Sequence, residues 1–301
     1  MYRSLRPIRS VLLAALAVLG SAGTAFAGTT TIGPADFNGD GNAGDYATIS
    51  DPTTTSTKVT ITHGGGAATT TYTSSFGFWR VATGSDLNGL TGQEIAVVLS
   101  NGYVFIVDDT AKTKWERHLL QGDLWKTEFF NELNGVAGNE ISFTYANGWV
   151  TVIDYKAKAE RDYNLTFGAA WTVQSFADLN GAAGNEIAYT YNVTNAGWVT
   201  VLDDKTHVLR SYYLGYSWSN YTIDEMNGRT GKDIFALGIN GTQMGVIEDS
   251  AGGSPHQYVV PSGWSSWSLA DKDGFAGLEA VFQYSTYQKW VTDRTKTVTT
   301  H

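Results

Sequence analysis

The stretch from Ser85 to Leu99, SDLNGLTGQEIAVVL, decides the fold because versions of it recur along the chain at a nearly constant spacing. Its pattern is an acid, one residue, Asn or Asp, Gly, two residues, Gly, one residue, then a second acid and an apolar run. The first acid returns at Asp86, Glu132, Asp178, Glu225 and Asp271, in steps of 46, 46, 47 and 46 residues, with an outlying copy at Asp36. A fixed period of ~40 to 50 residues is typical of repeat architectures. The chain is therefore predicted to contain six copies of one unit.

A tryptophan keeps the same spacing as the acid. It stands seven residues before five of the anchors, at Trp79, Trp125, Trp171, Trp218 and Trp264, whereas the first copy has Thr29 there. A large ring at one position of each copy indicates a structural need, because aromatic side chains bury more surface than most others. We expect these five indoles to be wedges between neighbouring repeats.

Each unit carries four short strand signals. In the second unit they are Trp79 to Thr83, Glu94 to Leu99, Tyr103 to Val107 and Lys114 to Leu120. Asn101-Gly102 is a hairpin dipeptide between the second and the third. Four short antiparallel strands in ~46 residues match one blade of a β-propeller, whose radial repetition leaves only short edges. The predicted fold is all-β, a six-bladed β-propeller of four-stranded antiparallel blades.

The position of the acidic loop within a blade has two alternatives. If the loop joins the first two strands of one blade, each copy is self-contained. If the loop joins neighbouring blades, Thr29 to Gly33 would complete the last blade and lock the ring. The first arrangement is favoured.

The N-terminus has the features of an export signal. Arg3, Arg6 and Arg9 precede an apolar run, and a small-residue cleavage site ends at Ala27. Residues 1–27 are predicted to be a signal peptide and 28–301 a single propeller domain of a secreted or periplasmic protein. The run is too short to span a bilayer, so no transmembrane anchor is expected. The net charge of −9 argues against a nucleic-acid partner, and the absence of cysteine excludes disulfides.

The first loop, DFNGDGNAGDY, offers the oxygen donors that a hard cation needs. Calcium takes several oxygens at alternating positions of a loop, with Gly at the sharp turn. Asp36, Asn38 and Asp40 stand at positions 1, 3 and 5, Gly41 at position 6, and Asn42 and Asp45 complete the candidate ligands. The spacing predicts a Ca2+ site, and an Asx-type turn without metal is the alternative.

The other five loops keep acids at positions 1 and 9 but lose the oxygen donor at position 5. That position holds Leu90, Val136, Ala182, Arg229 or Phe275. The weaker metal candidates are Asp86, Asn88, Glu94, Asp178, Asn180, Glu186, Asp271, Asp273 and Glu279. The favoured interpretation is a metal-free turn in which the acid accepts backbone amides and Gly supplies the left-handed residue.

The loop series resembles the FG-GAP, or VCBS-type, repeats that also build the propeller of integrin α-subunits. The motifs are DFNGDGNAGDY and the DxNGxxGxEI series, and Phe76-Gly77 and Phe167-Gly168 resemble the FG half. The resemblance covers essentially all of 28–301. It implies that the Asp-rich loop lies between the first two strands of a blade and binds calcium through Asp36, Asn38, Asp40 and Asp45. It implies little about function, because such propellers serve adhesion, ligand display or as enzyme scaffolds.

Four aromatic residues outside the tryptophan series are candidates for ligand binding. Tyr103, Trp149, Trp198 and Trp290 are predicted to start the third strand of their units. If they are exposed at a rim, their flat apolar faces can stack on sugar rings beside hydrogen-bonding Asn and Asp groups. Packing at an edge strand is the alternative.

The sequence contains no recognisable catalytic constellation. The histidines His63, His118, His207, His256 and His301 lie in different units, most of them expected to be solvated, and no HExxH, GxSxG or Walker-type motif is present. The leading hypothesis is a non-enzymatic secreted propeller, stiffened by calcium, that binds a carbohydrate or protein surface through rim loops. The alternatives are a polysaccharide-active enzyme, a lyase or glycoside hydrolase, on the same scaffold, and a structural envelope component.

Overall fold

The computed structural model describes residues 28–301 apart from 54, 67, 123, 166–169 and 194–195. The predicted signal peptide at 1–27 and the Phe167-Gly168 pair lie outside the described residues. Across the described part, the strands form six four-stranded sheets, which we number blade 1 to blade 6 in chain order. A search of the same residues finds no helix with the length and apolar character needed to cross a membrane.

The first three blades contain strands β1 to β12. Blade 1 is β1 (Thr29–Ala35), β2 (Asp45–Thr53), β3 (Ser56–Thr62) and β4 (Thr69–Ser74). Blade 2 is β5 (Trp79–Ser85), β6 (Glu94–Leu99), β7 (Tyr103–Asp108) and β8 (Thr113–His118). Blade 3 is β9 (Trp125–Asn131), β10 (Glu140–Tyr145), β11 (Trp149–Asp154) and β12 (Ala159–Asn164).

The last three blades contain strands β13 to β24. Blade 4 is β13 (Val173–Ala177), β14 (Glu186–Val193), β15 (Ala196–Asp203) and β16 (Val208–Tyr213). Blade 5 is β17 (Trp218–Asp224), β18 (Asp233–Gly238), β19 (Gln243–Ile247) and β20 (His256–Val259). Blade 6 is β21 (Ser266–Ala270), β22 (Glu279–Gln283), β23 (Gln288–Thr292) and β24 (Thr297–Thr300).

Every blade is an antiparallel meander of consecutive strands, so the predicted six-bladed β-propeller is confirmed. β1 pairs with β2 of its own blade, through Thr29 opposite Ser50 and Thr31 opposite Thr48. The acidic loop therefore joins the first two strands of one blade, which confirms the favoured arrangement. Thr29 to Gly33 does not complete blade 6.

The meander separates the connections into two faces. Because neighbouring strands run in opposite directions, the acidic loops and the turns between third and fourth strands share one edge of each blade. We call this side the loop face. The hairpins between second and third strands, together with the links to the next blade, lie on the other side, which we call the hairpin face.

Consecutive blades are held together by five apolar clusters, which we call seams. The seam between blades 3 and 4 contains Leu133 and Val150 from one blade and Ile187 and Tyr189 from the other. One phased tryptophan contributes to each seam: Trp79, Trp125, Trp171, Trp218 and Trp264. The prediction that these indoles are wedges between repeats is confirmed.

The backbones of adjacent acidic loops are also hydrogen-bonded across each seam. The N–H seven residues after the anchor donates to the anchor carbonyl of the preceding loop, as in Asn139 to Asp86 at 2.7 Å and Lys232 to Asp178 at 2.7 Å. Gly89 has a φ of +70°, and a Cβ there would lie 2.1 Å from the Ala137 carbonyl oxygen. Glycine is therefore required both by the turn and by the approach of the next loop.

The outward faces of blades 1 and 6 differ from the faces inside the five seams. On blade 1, Thr31, Thr48, Thr60 and Thr71 form one cross-strand row, and blade 6 presents the row Ser268, Val281, Trp290 and Thr299. Among the described residues, no hydrogen bond or ion pair joins blade 1 to blade 6. The threonine row of blade 1 gives that blade a polar outer face, which is typical of a terminal repeat. This polar face also explains why the first copy has Thr29 instead of a tryptophan.

Replacing a seam tryptophan should destabilise the fold more than replacing a tryptophan outside the seams. Trp171 is 6% exposed, its ring meets Tyr189 edge-on, and the Lys126 ammonium lies 3.9 Å from its centroid. We expect Trp171→Ala to lower the free energy of unfolding by ~3 to 5 kcal/mol, measured by urea denaturation. Trp290→Ala, on the outward face of blade 6, is the control. An equal loss in both variants would contradict the wedge role.

Candidate functional sites on the two faces

A buried acid lies beneath each acidic loop of blades 2 to 5. In blade 2 this acid is Glu94, which is 1% exposed. Its carboxylate accepts the Leu87 N–H at 2.7 Å and the Asn88 side-chain amide at 2.7 Å. The same amide nitrogen lies 3.2 Å from Asp108 Oδ2. Asn88 therefore bridges two carboxylates, and a side-chain amide occupies the centre of the loop.

The amide bridge recurs in the next three blades. Asn134 donates to Glu140 at 2.7 Å, Asn180 to Glu186 at 2.7 Å and Asn227 to Asp233 at 2.8 Å. The amides of Asn134 and Asn180 also reach a second acid, Asp154 at 3.1 Å and Asp203 at 3.2 Å. In blades 2 to 5 the second acid of the loop is thus held by a side-chain amide, as expected for a turn, and the weaker metal candidates stay predictions.

The buried acids of these loops have strongly raised pKa values. Burial raises the pKa of Glu94, Glu140 and Glu186 to about 7. Burial likewise raises the pKa of Asp233 to about 7, with further increases from the charges of Asp293 and Glu248. Backbone N–H groups that donate to these carboxylates lower the pKa values but do not offset burial. Each loop thus holds an acid that titrates near neutral pH.

The first loop turns its carboxylates towards backbone amides. Asp36 accepts the N–H groups of Gly39 at 2.8 Å and Gly41 at 2.9 Å. Asp45 is fully buried and accepts the Phe37 and Gly64 amides. It therefore takes the place that Glu94 has in blade 2. To bind calcium, these carboxylates would exchange their hydrogen bonds from backbone N–H groups for coordination of the ion.

Two more of the predicted ligands in the first loop have the same kind of contact. Asn38 Oδ1 accepts the Asp40 N–H at 3.0 Å, and Asp40 Oδ1 accepts the Asn42 N–H at 2.8 Å. Both contacts are Asx-type turns. The loop geometry thus matches the alternative that the sequence left open for DFNGDGNAGDY.

The sixth loop brings three acids together. Oxygens of Asp271, Asp273 and Glu279 all lie within 4.8 Å of one another. Asp273 stands where the other loops have Asn, so it offers no donor to Glu279. Arg294 Nη2 donates to Asp273 at 2.7 Å and neutralises part of the charge. The donor set fits an oxygen-seeking cation better here than in the loops with a central amide.

Three of the four predicted aromatic residues share one register position on the hairpin face. Tyr103 lies opposite His118, Trp149 opposite Asn164 and Trp198 opposite Tyr213, each between the third and fourth strands of its blade. Tyr103 is stacked on Phe76 with centroids 4.2 Å apart and planes 4° apart. Trp198 and Tyr213 have centroids 4.6 Å apart. The rings form small platforms on this face.

Trp290 does not share this position. β15 begins at Ala196 and β23 at Gln288, so the expectation that these residues start their strands is wrong for both Trp198 and Trp290. The Trp290 ring stacks on His301 with centroids 3.5 Å apart. In blade 6 the equivalent residue is Tyr287, whose ring stacks on Tyr284 at 4.5 Å. The hairpin of blade 6 lacks the Asn-Gly signal of blades 2 and 3, which is why the sequence analysis missed Tyr287.

The fourth strands carry polar clamps that the sequence analysis also missed. The Tyr163 hydroxyl and the Arg161 guanidinium, both from blade 3, donate to Asp204 of blade 4, the hydroxyl at 2.6 Å. Tyr212 and Arg210 hold Asp249 in the same way across the next seam. The acids next to strand ends accept backbone N–H groups in turns, and the acids that follow them tie neighbouring blades together.

Two histidines take part in such clamps. His256 Nδ1 lies 2.9 Å from Asp293, and Tyr258 of the same strand also donates to Asp293. His63 Nε2 lies 3.4 Å from Asp109, which accepts the Tyr72 hydroxyl. Both rings are largely buried, so these two are exceptions to the expectation that most of the histidines are solvated. The sequence feature that could have indicated these clamps is a tyrosine on the fourth strand together with an acid in the following repeat.

Comparison with known proteins bears on the fold alone. No family model and no curated protein matches the chain. Similar solved structures include Sqt1 of Saccharomyces cerevisiae, with 9% identity, TM-score 0.39 and coverage of 86% of this chain and 72% of that one. They also include the Dos1 propeller, with 12% identity, TM-score 0.39 and coverage of 82% and 63%. The rhamnogalacturonan lyase YesW has 12% identity, TM-score 0.41 and coverage of 84% and 60%.

The chain thus spans less than two thirds of the Dos1 and YesW chains that it resembles. Their low identity supports no transfer of binding partners or activity.

The titration of the buried acids makes stability depend on pH. Their pKa values near 7 mean that the folded protein binds more protons than the unfolded chain between about pH 4.5 and pH 7. The free energy of unfolding should therefore decrease as pH rises through this window and level off above it. Urea denaturation at pH 5, 6, 7 and 8 in a chelating buffer measures the effect. Glu140→Gln removes one titrating group and should make the decrease smaller, and an unchanged slope would contradict this assignment.

Proposed function

We propose that this chain is a secreted, non-enzymatic ligand-binding propeller of the FG-GAP/VCBS type that recognises carbohydrate through the hairpin face. The observation that carries the proposal is the shared register of Tyr103, Trp149 and Trp198 in three consecutive blades. Repeated rings at one height suit a chain of sugar units, because an aromatic face stacks on the apolar face of a pyranose. The signal-like residues 1–27 support export.

Exposure of the neighbouring side chains supports a binding surface at this place. Phe76, beside Tyr103, is 38% exposed, and Tyr213, beside Trp198, is 46% exposed. On the same face Leu120 and Leu124 are 68% and 75% exposed. Tyr103, Trp149 and Trp198 are partly buried and pack against the seam clusters, so the rings are held in place before a ligand binds, which lowers the entropy cost of binding.

Removing a ring from a platform should weaken glycan binding. A glycan array identifies the ligand, and calorimetry then compares Tyr103→Ala, Trp149→Ala and Trp198→Ala with the unmodified protein. We expect each variant to bind roughly 30-fold more weakly, equivalent to ~2 kcal/mol, as for other anchoring aromatic residues.

The control for this prediction is Phe275→Ala, because Phe275 is 61% exposed on the opposite face. The Phe275→Ala variant should bind the glycan with unchanged affinity. Equal losses in Phe275→Ala, or an array without specific binding, would contradict recognition by the hairpin face. Product formation from a bound glycan would instead favour the lyase or glycosidase alternative.

Calcium is a second part of the proposal. The sixth loop supplies three acids without a central amide, and the first loop supplies the motif with the most oxygen donors. An ion there would offset repulsion between carboxylates and link the two strands that the loop joins. Binding of the ion by the folded state alone would stabilise the fold by mass action.

Calcium should raise the melting temperature, and the variants separate the two loops. Asp273→Asn restores the amide of the other loops and should reduce the increase if the sixth loop holds the ion. Asp36→Asn should reduce it if the first loop does. Glu132→Gln, in the third loop, is the control. Scanning calorimetry with calcium or chelator measures the effect, and a melting temperature indifferent to calcium would rule out the ion.

A further inference from the structure

A cavity of about 300 Å³ opens on the loop face at the seam between blades 5 and 6. Its lining includes Arg229, Glu248, His256, Asp293, Arg294 and Lys296. The volume is at the lower end of the range for small-molecule sites, ~300 to 1,000 Å³. A ligand the size of a single sugar ring suits this space better than an extended polymer segment.

The cavity exists because a shorter side chain replaces arginine at one position of the fourth strand. Arg161, Arg210 and His256 have equivalent register, opposite Val152, Val201 and Val246. Arg161 Nη2 lies 2.5 Å from Asp204 in the next blade and 3.7 Å from Asp154 in its own. Arg210 spans Asp249 and Asp203 in the same way, at 2.5 and 3.5 Å. In those seams the guanidinium fills the space between the two acids.

The acids of blades 5 and 6 are paired differently. The imidazole of His256 is held by Asp293 of the next blade, with Nδ1 2.9 Å from the carboxylate. The acid of its own blade, Glu248, forms an ion pair with Arg229 of the acidic loop at 2.5 Å. The turn before β20 also contains Pro255, which lacks an N–H for strand pairing. The volume that arginine occupies elsewhere is therefore open.

The charge that remains in the opening is positive. Both lining acids are buried and satisfied, Glu248 by Arg229 and Asp293 by His256 and Tyr258. Lys296 has no ion pair among the described residues, and Arg229 uses only Nη1 for Glu248. Because Arg294 is paired with Asp273, the cationic groups left for a ligand are the Lys296 ammonium and the Arg229 guanidinium nitrogens other than Nη1. A planar carboxylate suits such donors.

The opening also offers neutral hydrogen-bonding groups. His256 Nδ1 is engaged with Asp293, so Nε2 is the ring nitrogen left to hydrogen-bond a ligand. The lining residue Ser254 is exposed and adds a hydroxyl. Acceptors and donors around a cationic edge match a ring that bears both hydroxyl groups and one carboxylate.

We propose that this cavity binds a uronic acid, with its carboxylate held by Lys296 and Arg229 and a hydroxyl group held by His256 Nε2. The site lies on the loop face, away from the aromatic platforms, and it does not depend on the function proposed above. It gives the propeller a second subsite that selects acidic sugars.

The test is calorimetric titration with D-galacturonate and D-glucuronate, against D-galactose, D-glucose and inorganic phosphate. The variant is Lys296→Asn, because Lys296 lies on an exposed turn with φ of 56° and asparagine tolerates that conformation. Lys112→Asn is the matched control, at the same turn position in blade 2 with φ of 54°. Thermal melting verifies that both variants fold.

We expect uronate binding that Lys296→Asn weakens at least 10-fold and that Lys112→Asn leaves unchanged. Neutral sugars should bind at least 10-fold more weakly than uronates. Absence of uronate binding, or equal affinity in Lys296→Asn, would overturn the proposal. Tighter binding of phosphate than of either uronate would overturn the assignment to a sugar. The platform variants should still bind uronate in this cavity. A negative result on the glycan array therefore contradicts only the proposed function, and a negative uronate titration contradicts only this inference.

Discussion

The indole wedge at each seam is the contact on which the rest of the structure depends. A blade of four short strands has two faces to cover and too little apolar surface to fold by itself. Trp125, Trp171 and Trp264 each meet an aromatic ring of the second strand edge-on, at 5.7, 5.8 and 5.7 Å between centroids. Each ring thus packs on the second strand of its own blade and also belongs to the apolar cluster shared with the preceding blade, so consecutive blades stack with equivalent residues on the same face.

That regular spacing separates the chemistry of the molecule into two zones. The loop face collects acids, most of them buried and held by amides or by cross-seam arginines, whereas the hairpin face collects rings. Both zones follow from the meander, since it returns alternate connections to alternate edges. The cavity at the last seam is a local departure, in which His256 stands where Arg161 and Arg210 fill the equivalent space.

The acidic loops share one sequence pattern but differ in the contacts made by the residue at the centre of the loop. With Asn88 at the centre, two carboxylates share an amide, and the loop closes without an ion. With Asp273 at that place the donor is lost, and three acids converge. The change from amide to carboxylate replaces one heavy atom, a nitrogen by an oxygen, and it removes the donor that satisfies the neighbouring acid. The side chains of the loops can diverge in this way because the contacts between loops of neighbouring blades are made by the backbone.

The sequence by itself determined the number of blades, their antiparallel strands and the wedge role of the phased tryptophans, because these follow from local periodicity and from residue types repeated at one phase. Only the tertiary structure decided which groups of different blades meet, such as Tyr163 with Asp204 and His256 with Asp293, which are about 40 positions apart. It also decided that Tyr287, and not Trp290, has the shared ring position in blade 6. These arrangements depend on strand register and on the geometry between blades, which no local pattern encodes.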